Sequence, residues 1–271
     1  MRPRLALGLT SALAVLALSA CGGGPAQTDP DAPLKVGASP VPHAEILRYV
    51  ADELAPAEGL EIEVVEFTDY VQPNVALDDG SLDANYFQTV PYLEQQEADA
   101  GYDFEPLQPV HVEPLGLYSE RVDSVDALPD GATVAIPNDP TNAARALRLL
   151  EAEGLITLAD TGDTAPTALD VEDNAKDLKI TEVEAAQLPR SLADVDAAVI
   201  NGNYAIDADL SPAQDAIALE QAEGNPNANL VVVRAGDEDD PRIQQLDALL
   251  HSDEVRAFIQ DTYAGAVLPA F

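Results

Sequence analysis

The chain has 271 residues, 49 acidic against 13 basic side chains, one cysteine and no tryptophan, for a formal net charge of -36. Such a surface repels phosphate backbones and excludes nucleic-acid binding, and a single cysteine excludes an internal disulfide framework or a cysteine-rich zinc cluster. With 46% of its residues apolar and in periodic runs, the chain can bury real cores, and its length suits one large domain or two smaller lobes.

Arg2 and Arg4 precede an apolar run from Leu5 to Leu18, and the small residues Ser19 and Ala20 lead into Cys21. That order is the layout of a secretory signal over residues 1–20. Leu18-Ser19-Ala20-Cys21 also resembles the lipobox of bacterial lipoproteins. The resemblance implies cleavage before Cys21, a diacylglycerol thioether on its sulfur, and a folded domain anchored on the outer face of the cell membrane. Each buried methylene of such an anchor contributes about 0.8 kcal/mol, so two or more acyl chains hold firmly. Residues 21–33 have no apolar periodicity and read as a flexible tether. No later stretch approaches the ~18 consecutive apolar residues of a spanning helix.

From Leu34 onward, short apolar runs alternate with helical segments, the pattern of an α/β fold. Strands are expected over Leu34–Ala38, Leu60–Phe67 and Leu82–Phe87, with helices over His43–Leu54, Tyr70–Leu77 and Pro91–Ala100. Val110 to Tyr118 reads as an extended stretch interrupted by Pro114. A second series begins with a strand at Ala132–Pro137. Asp139 then stands as an N-cap before Pro140, and Gly154 closes that helix. Leu178–Val183 and Val195–Ile200 are expected strands flanking Ala185–Leu192, and Leu230–Arg234 is a late strand. The last helix starts at Ser252, carries Asp253 and Glu254 in its first turn, and ends at Gly265. The two series fit either two lobes around a cleft or one wound sheet.

Catalytic signatures are missing from the sequence. There is no glycine-rich phosphate loop and no Gly-x-Ser-x-Gly elbow. His43, His111 and His251 stand apart without metal-ligand spacing. Asp237-Glu238-Asp239-Asp240 lacks the alternation of a calcium loop and reads as a solvated turn. The chain is therefore read as a non-enzyme without a metal or cofactor.

Several longer segments carry more information. They are Gly37-Ala38-Ser39-Pro40-Val41-Pro42-His43, the run Glu66 to Asn74, Leu82 to Gln88, His111 to Ser119, Ile136 to Asn142, Ala185 to Arg190, and Ala198 to Ala205. In this order they resemble the NlpA lipoprotein family, the methionine-binding lipoproteins of bacterial ABC importers, from about Leu34 to Phe271. The resemblance implies a type II periplasmic-binding-protein fold of two α/β lobes joined by two crossovers. It places lobe 1 at residues 34–112 plus 229–271 and lobe 2 at 113–228. It implies capture of methionine or a close relative by a monomer, and delivery to a membrane permease driven by an ATPase. Another amino acid, a methionine-containing dipeptide, or an adhesive or sensing surface lipoprotein are the alternatives.

A free amino acid presents a carboxylate, an ammonium and a side chain. Arginine offers the carboxylate a bidentate fork. Arg145 and Arg148 share the helix face away from the apolar stripe, and the residues alone leave both open. The family's Asn-x-x-Arg pattern, met by Asn142 and Arg145, selects Arg145. A thioether packs well on aromatic edges, and Phe67, Tyr70 and Phe87 stand at strand-to-helix junctions where α/β clefts collect ligands. Asn201 and Asn229 match family positions that bind the ligand's polar groups, and His111 enters the crossover. Thr89 departs from the family, whose members often carry histidine between the glutamine and the x-Pro-Tyr-Leu segment. A small hydroxyl there favours a roomier pocket and widens the choice of ligand.

Overall fold

In a computed structural model the described residues are 32–271. The signal over 1–20, Cys21 and nearly all of the tether lie outside them. Thirteen strands are described: β1 (Leu34–Ala38), β2 (Ile62–Glu66), β3 (Ala84–Thr89), β4 (Phe104–Val112), β5 (Gly116–Tyr118), β6 (Thr133–Pro137), β7 (Thr157–Leu158), β8 (Val171–Asp173), β9 (Lys179–Val183), β10 (Ala197–Ile200), β11 (Ala218–Leu219), β12 (Ala228–Arg234) and β13 (Leu268–Pro269).

They form two main sheets, and so a two-lobed α/β fold. The first is ordered β13-β4-β12-β3-β1-β2 and the second β11-β5-β10-β6-β9. In each sheet three neighbouring strands reaching one edge run parallel, β3-β1-β2 in the first and β10-β6-β9 in the second. The chain leaves the first sheet after β4 and returns to it at β12, so residues 113–115 and 220–227 are the crossings. Each sheet has its own core. One gathers Leu34, Val36, Ile46, Leu47, Val231 and Ile259, the other Leu117, Val134, Ile136, Leu147, Leu150 and Val199. The inner strands β6 and β10 read as nearly continuous apolar runs and are buried along almost their whole length. No helix among the described residues is long and apolar enough to cross a membrane.

Local signals place the helix that matters most. The Asp139 side chain accepts from the Asn142 backbone N–H, Pro140 opens the helix Pro140–Ala152, and Gly154 follows with φ +70°. The expected helix at Ser252 is found as Asp253–Tyr263, its cap oxygen accepting from Val255.

Three expectations need correction. The strand expected from Val110 begins at Phe104, because β12 on one side supplies the ladder that Pro106 and Pro109 alone do not suggest. The helix expected over His43–Leu54 is part of a longer run of helical turns that follows the extended Val41 and continues to Glu58. The acidic run 237–240 is only partly a solvated turn. Its last member, Asp240, caps an unanticipated helix, Pro241–Leu250, and pairs with Arg242.

Candidate functional site

The carboxyl ends of the parallel strands of both sheets face one buried cavity, the usual place for a ligand in such folds. From the first sheet come His43, Tyr70, Phe87, Gln88, Thr89, Tyr92 and Asn229. From the second come Asn142, Arg145, Asn201, Gly202 and Asn203, and Glu113 enters on the first crossover.

Six of the eight expected residues line this space: Tyr70, Phe87, Thr89, Arg145, Asn201 and Asn229. Strand register explains one row of them. Asn229 on β12 sits opposite Thr89 on β3 and opposite His111 on β4. Register shifts beside Leu230 bend β12 there and re-aim its side chains. His111 itself lies one layer behind the wall. Phe67 does not line the cavity either; it packs with Leu77, Leu82 and Leu93, near Gly37, where an added Cβ would come 3.0 Å from its ring.

On the second sheet's wall, Arg145 is buried and Arg148 exposed, which separates the two arginines that the helix pattern left equivalent. Asn142 orients the group. Its Nδ2 donates to Asp139, and its Oδ1 accepts from Arg145 Nη1 at 3.2 Å and from Asn201 Nδ2 at 3.0 Å. That leaves Asn201 Oδ1, a buried acceptor, without a hydrogen-bond partner in the protein. A buried acceptor of this kind is costly unless something donates to it.

The Arg145 fork is already half occupied. Its Nε and Nη2 donate to the two oxygens of Glu220 at 3.2 and 2.6 Å, and Nη2 also reaches the Glu113 carbonyl at 3.5 Å. Burial raises the Glu220 carboxyl, and the Arg145 contacts outweigh it, leaving the group below its ordinary range.

Behind the first sheet's wall runs a buried polar chain. His111 Nε2–H donates to Glu113 Oε1 at 2.7 Å, so the neutral ring presents Nδ1 as an acceptor to the Tyr86 hydroxyl. His43 Nε2–H lies 3.0 Å from Asn229 Oδ1 and 3.3 Å from Glu113 Oε1. Burial pushes His43 down to about 4 and His111 down to about 3, so both rings are neutral near pH 7. Burial raises the Glu113 carboxyl. The two histidines, isolated in sequence, are therefore neighbours in space, with ring centroids 4.8 Å apart. The metal-capable atoms of His43, His111 and Glu113 lie within 4.8 Å of one another. Protons shared among them and Tyr86 account for this cluster as a hydrogen-bond chain. Gly202 makes room for it, since a Cβ there would come 2.8 Å from Glu113 Cβ.

The remaining surface is aromatic. Tyr70 lies 6.0 Å from Phe87, 5.9 Å from Tyr92 and 4.9 Å from Tyr204 between ring centroids. Two of these rings also tie the sheets together, Tyr70 hydroxyl donating to Asn203 Oδ1 at 2.5 Å and Tyr204 hydroxyl to the Thr68 carbonyl at 3.3 Å. Gln88 is fixed from behind by Asn74 and Asn85 through amide bonds of 2.8–3.0 Å.

His43, Gln88, Tyr92, Glu113, Asn142 and Asn203 escaped the sequence reading as site residues. All of these but Tyr92 do stand inside the motifs quoted for the resemblance. Glu113 and Glu220 are hidden among 49 acids, and only the fold singles them out.

Comparison with known proteins gives consistent matches. The profile of the NlpA lipoprotein family matches residues 34–271. The D-methionine-binding lipoprotein MetQ of Escherichia coli K12 is 42% identical over 255 residues, covering 93% of each chain. A nutrient-binding protein from Burkholderia cenocepacia, solved bound to methionine, superposes with a TM-score of 0.85 at 47% identity, over 88% of this chain and all 100% of its own. A periplasmic substrate-binding protein of an ABC transporter from Coxiella burnetii gives a TM-score of 0.84 at 43% identity, over 88% and 100% of the two chains.

Proposed function

Because the chain belongs to the NlpA lipoprotein family, we propose that it captures methionine, or a close derivative, as the substrate-binding lipoprotein of an ABC importer. The observation that carries this reading is the cavity's split chemistry: a guanidinium and amides on one wall, an aromatic group on the other, closed between two lobes.

A zwitterionic amino acid fits that split. Its carboxylate takes the part of the Arg145 fork that Glu220 leaves open, beside Asn142. Its ammonium donates to the unpartnered Asn201 Oδ1 and to the Glu113 carboxylate, which lacks a full cation of its own because both neighbouring histidines are neutral. The thioether chain lies against Tyr70, Phe87 and Tyr92, with Thr89 and Asn229 at its side. His111 acts through Glu113 and Phe67 through the packing under β1, both without touching the ligand.

We place the lobe boundaries at 112/113 and 228/229, where the chain changes sheet. Ligand bound to both walls draws the lobes closed, because only the closed state offers both sets of contacts. The protein is read as a monomer, anchored through Cys21 on the outer face of the membrane, passing its ligand to a permease and ATPase. The function is binding and delivery; it is not an enzyme.

Mass spectrometry of whatever co-purifies, followed by calorimetry with L-methionine, D-methionine and Gly-Met, tests the reading. Micromolar or tighter binding of a methionine stereoisomer is expected. No measurable heat with any of the three, on ligand-stripped folded protein, overturns it.

A further inference from the structure

Glu220 stands out because it treats Arg145 as a ligand carboxylate would. The two pair side-on, Nε to Oε1 at 3.2 Å and Nη2 to Oε2 at 2.6 Å, in a buried setting. Glu220 does not line the cavity, whereas Arg145 does. The acid therefore holds the guanidinium from behind. It is itself held: Glu220 Oε2 accepts from Leu115 N–H at 3.2 Å, and the Glu220 N–H donates to the Leu115 carbonyl at 2.8 Å. Those bonds join the two crossings, so the carboxylate cannot swing away when a ligand arrives.

The charge count follows. One guanidinium serves two carboxylates, half-buried Glu220 by direct pairing and buried Glu113 through space, while His43 and His111 add no positive charge near neutral pH. A zwitterion brings its ammonium, which suits Glu113, and also a third carboxylate to a guanidinium already paired. Like charges a few ångströms apart in a buried site repel strongly.

We propose that Glu220 sets the ligand specificity of this site by neutralising Arg145, so that the site accepts α-ammonium ligands whose carboxyl group is uncharged, an amide or an ester, nearly as well as the free acid. In this arrangement Arg145 acts on the ligand mainly as a positioned hydrogen-bond donor, which a carbonyl oxygen satisfies as well as a carboxylate oxygen. This rests on the methionine reading above and deepens it: the ammonium and the thioether carry recognition, and the carboxylate carries little.

The test is calorimetry on the whole mature protein with L-methionine and L-methioninamide at about pH 6, where both amines are protonated. In the wild type, methionine is expected to be favoured over its amide by less than tenfold. A larger preference overturns the proposal. In Glu220→Gln, which keeps the shape and an acceptor for Leu115 but removes the charge, the preference for methionine is expected to rise at least tenfold. A purely structural role for Glu220 would weaken both ligands together and leave the ratio where it was, and that outcome also overturns the proposal. Should Glu220→Gln fail to fold, the wild-type ratio decides alone. Tight methionine binding with an unmoved ratio removes this inference and leaves the methionine reading standing, whereas absence of binding by either ligand to folded wild type removes the reading beneath it.

Discussion

The two walls of the cavity are made of different materials. The second sheet contributes Arg145, Asn142, Asn201 and Asn203, polar groups whose partners are largely fixed by one another. The first contributes Tyr70, Phe87 and Tyr92, rings in contact with each other, over a buried layer of amides and histidines. One wall reads charge and hydrogen-bonding geometry, the other reads shape and polarizability. A ligand with both kinds of surface, as methionine has, is held fully only when the walls meet, so the division of chemistry between lobes makes closure depend on the ligand.

The comparison breaks most sharply at the polar wall. Arg145→Ala removes the only buried guanidinium lining the cavity among the described residues and strands Glu220 without its partner. Calorimetry is expected to show methionine binding weakened about a hundredfold, since the ligand carboxylate loses its donor and meets a Glu220 charge that nothing neutralises. Retained affinity would remove Arg145 from the site. Glu113→Gln comes next. It keeps an acceptor for His111 but deletes the charge that faces the ammonium. A loss of about thirtyfold is expected, the size of a charged hydrogen bond, and an unchanged affinity would assign ammonium recognition to Asn201 alone.

How far the sequence foretold this division depends on the range of the interaction. Asp139-Pro140 and the helix it opens were legible because a cap and a proline act within four residues. The aromatic wall was legible in part, since Tyr70 and Phe87 sit at strand ends, but Tyr92 lies within the first turn of the next helix, where no strand end marks it. The row Thr89–Asn229–His111 needs the register of β12 between β3 and β4, which pairs residues more than a hundred positions apart and leaves no local trace. Phe67 shows the opposite failure. Its place after β2 matches that of its neighbours, yet the absence of a side chain at Gly37 lets its ring turn into the core. Arg145, chosen through the family pattern, lines the cavity, but its pairing with Glu220 depends on the second crossing returning beside it, which periodicity does not report.

The buried layer under the aromatic wall sharpens the comparison through pH. His43 and His111 are neutral in the fold, pushed down to about 4 and about 3, while an unfolded histidine titrates at 6.5. Below 6.5 the unfolded chain therefore binds protons that the folded one refuses, and stability falls as pH drops toward 4. Each histidine contributes about 1.4 kcal/mol per pH unit in that window. Glu113 works in the other sense, since burial raises its carboxyl, but it is present in both proteins compared. In His111→Asn, urea unfolding at several pH values between about 4 and 6 is expected to show a slope reduced by about 1.4 kcal/mol per unit. An unreduced slope would mean that His111 is protonated inside the fold.

The smallest expected effect lies where the walls touch. The Tyr70 ring belongs to the aromatic wall, and its hydroxyl donates to Asn203 on the other at 2.5 Å. Tyr70→Phe keeps the ring against Phe87 and Tyr92 and removes only that bond across the cleft. A neutral hydrogen bond contributes about 1 kcal/mol net, so methionine affinity is expected to fall about fivefold. The loss should appear in dissociation, because the bond exists only when the lobes are closed, and association begins from the open form. Stopped-flow release of methionine from the variant is therefore expected to be several-fold faster at an almost unchanged association rate. A slower association with normal release would mean instead that the hydroxyl helps the open cleft receive the ligand, and that the walls are held closed by their rings and by the remaining Tyr204–Thr68 and Thr141–Pro91 bonds.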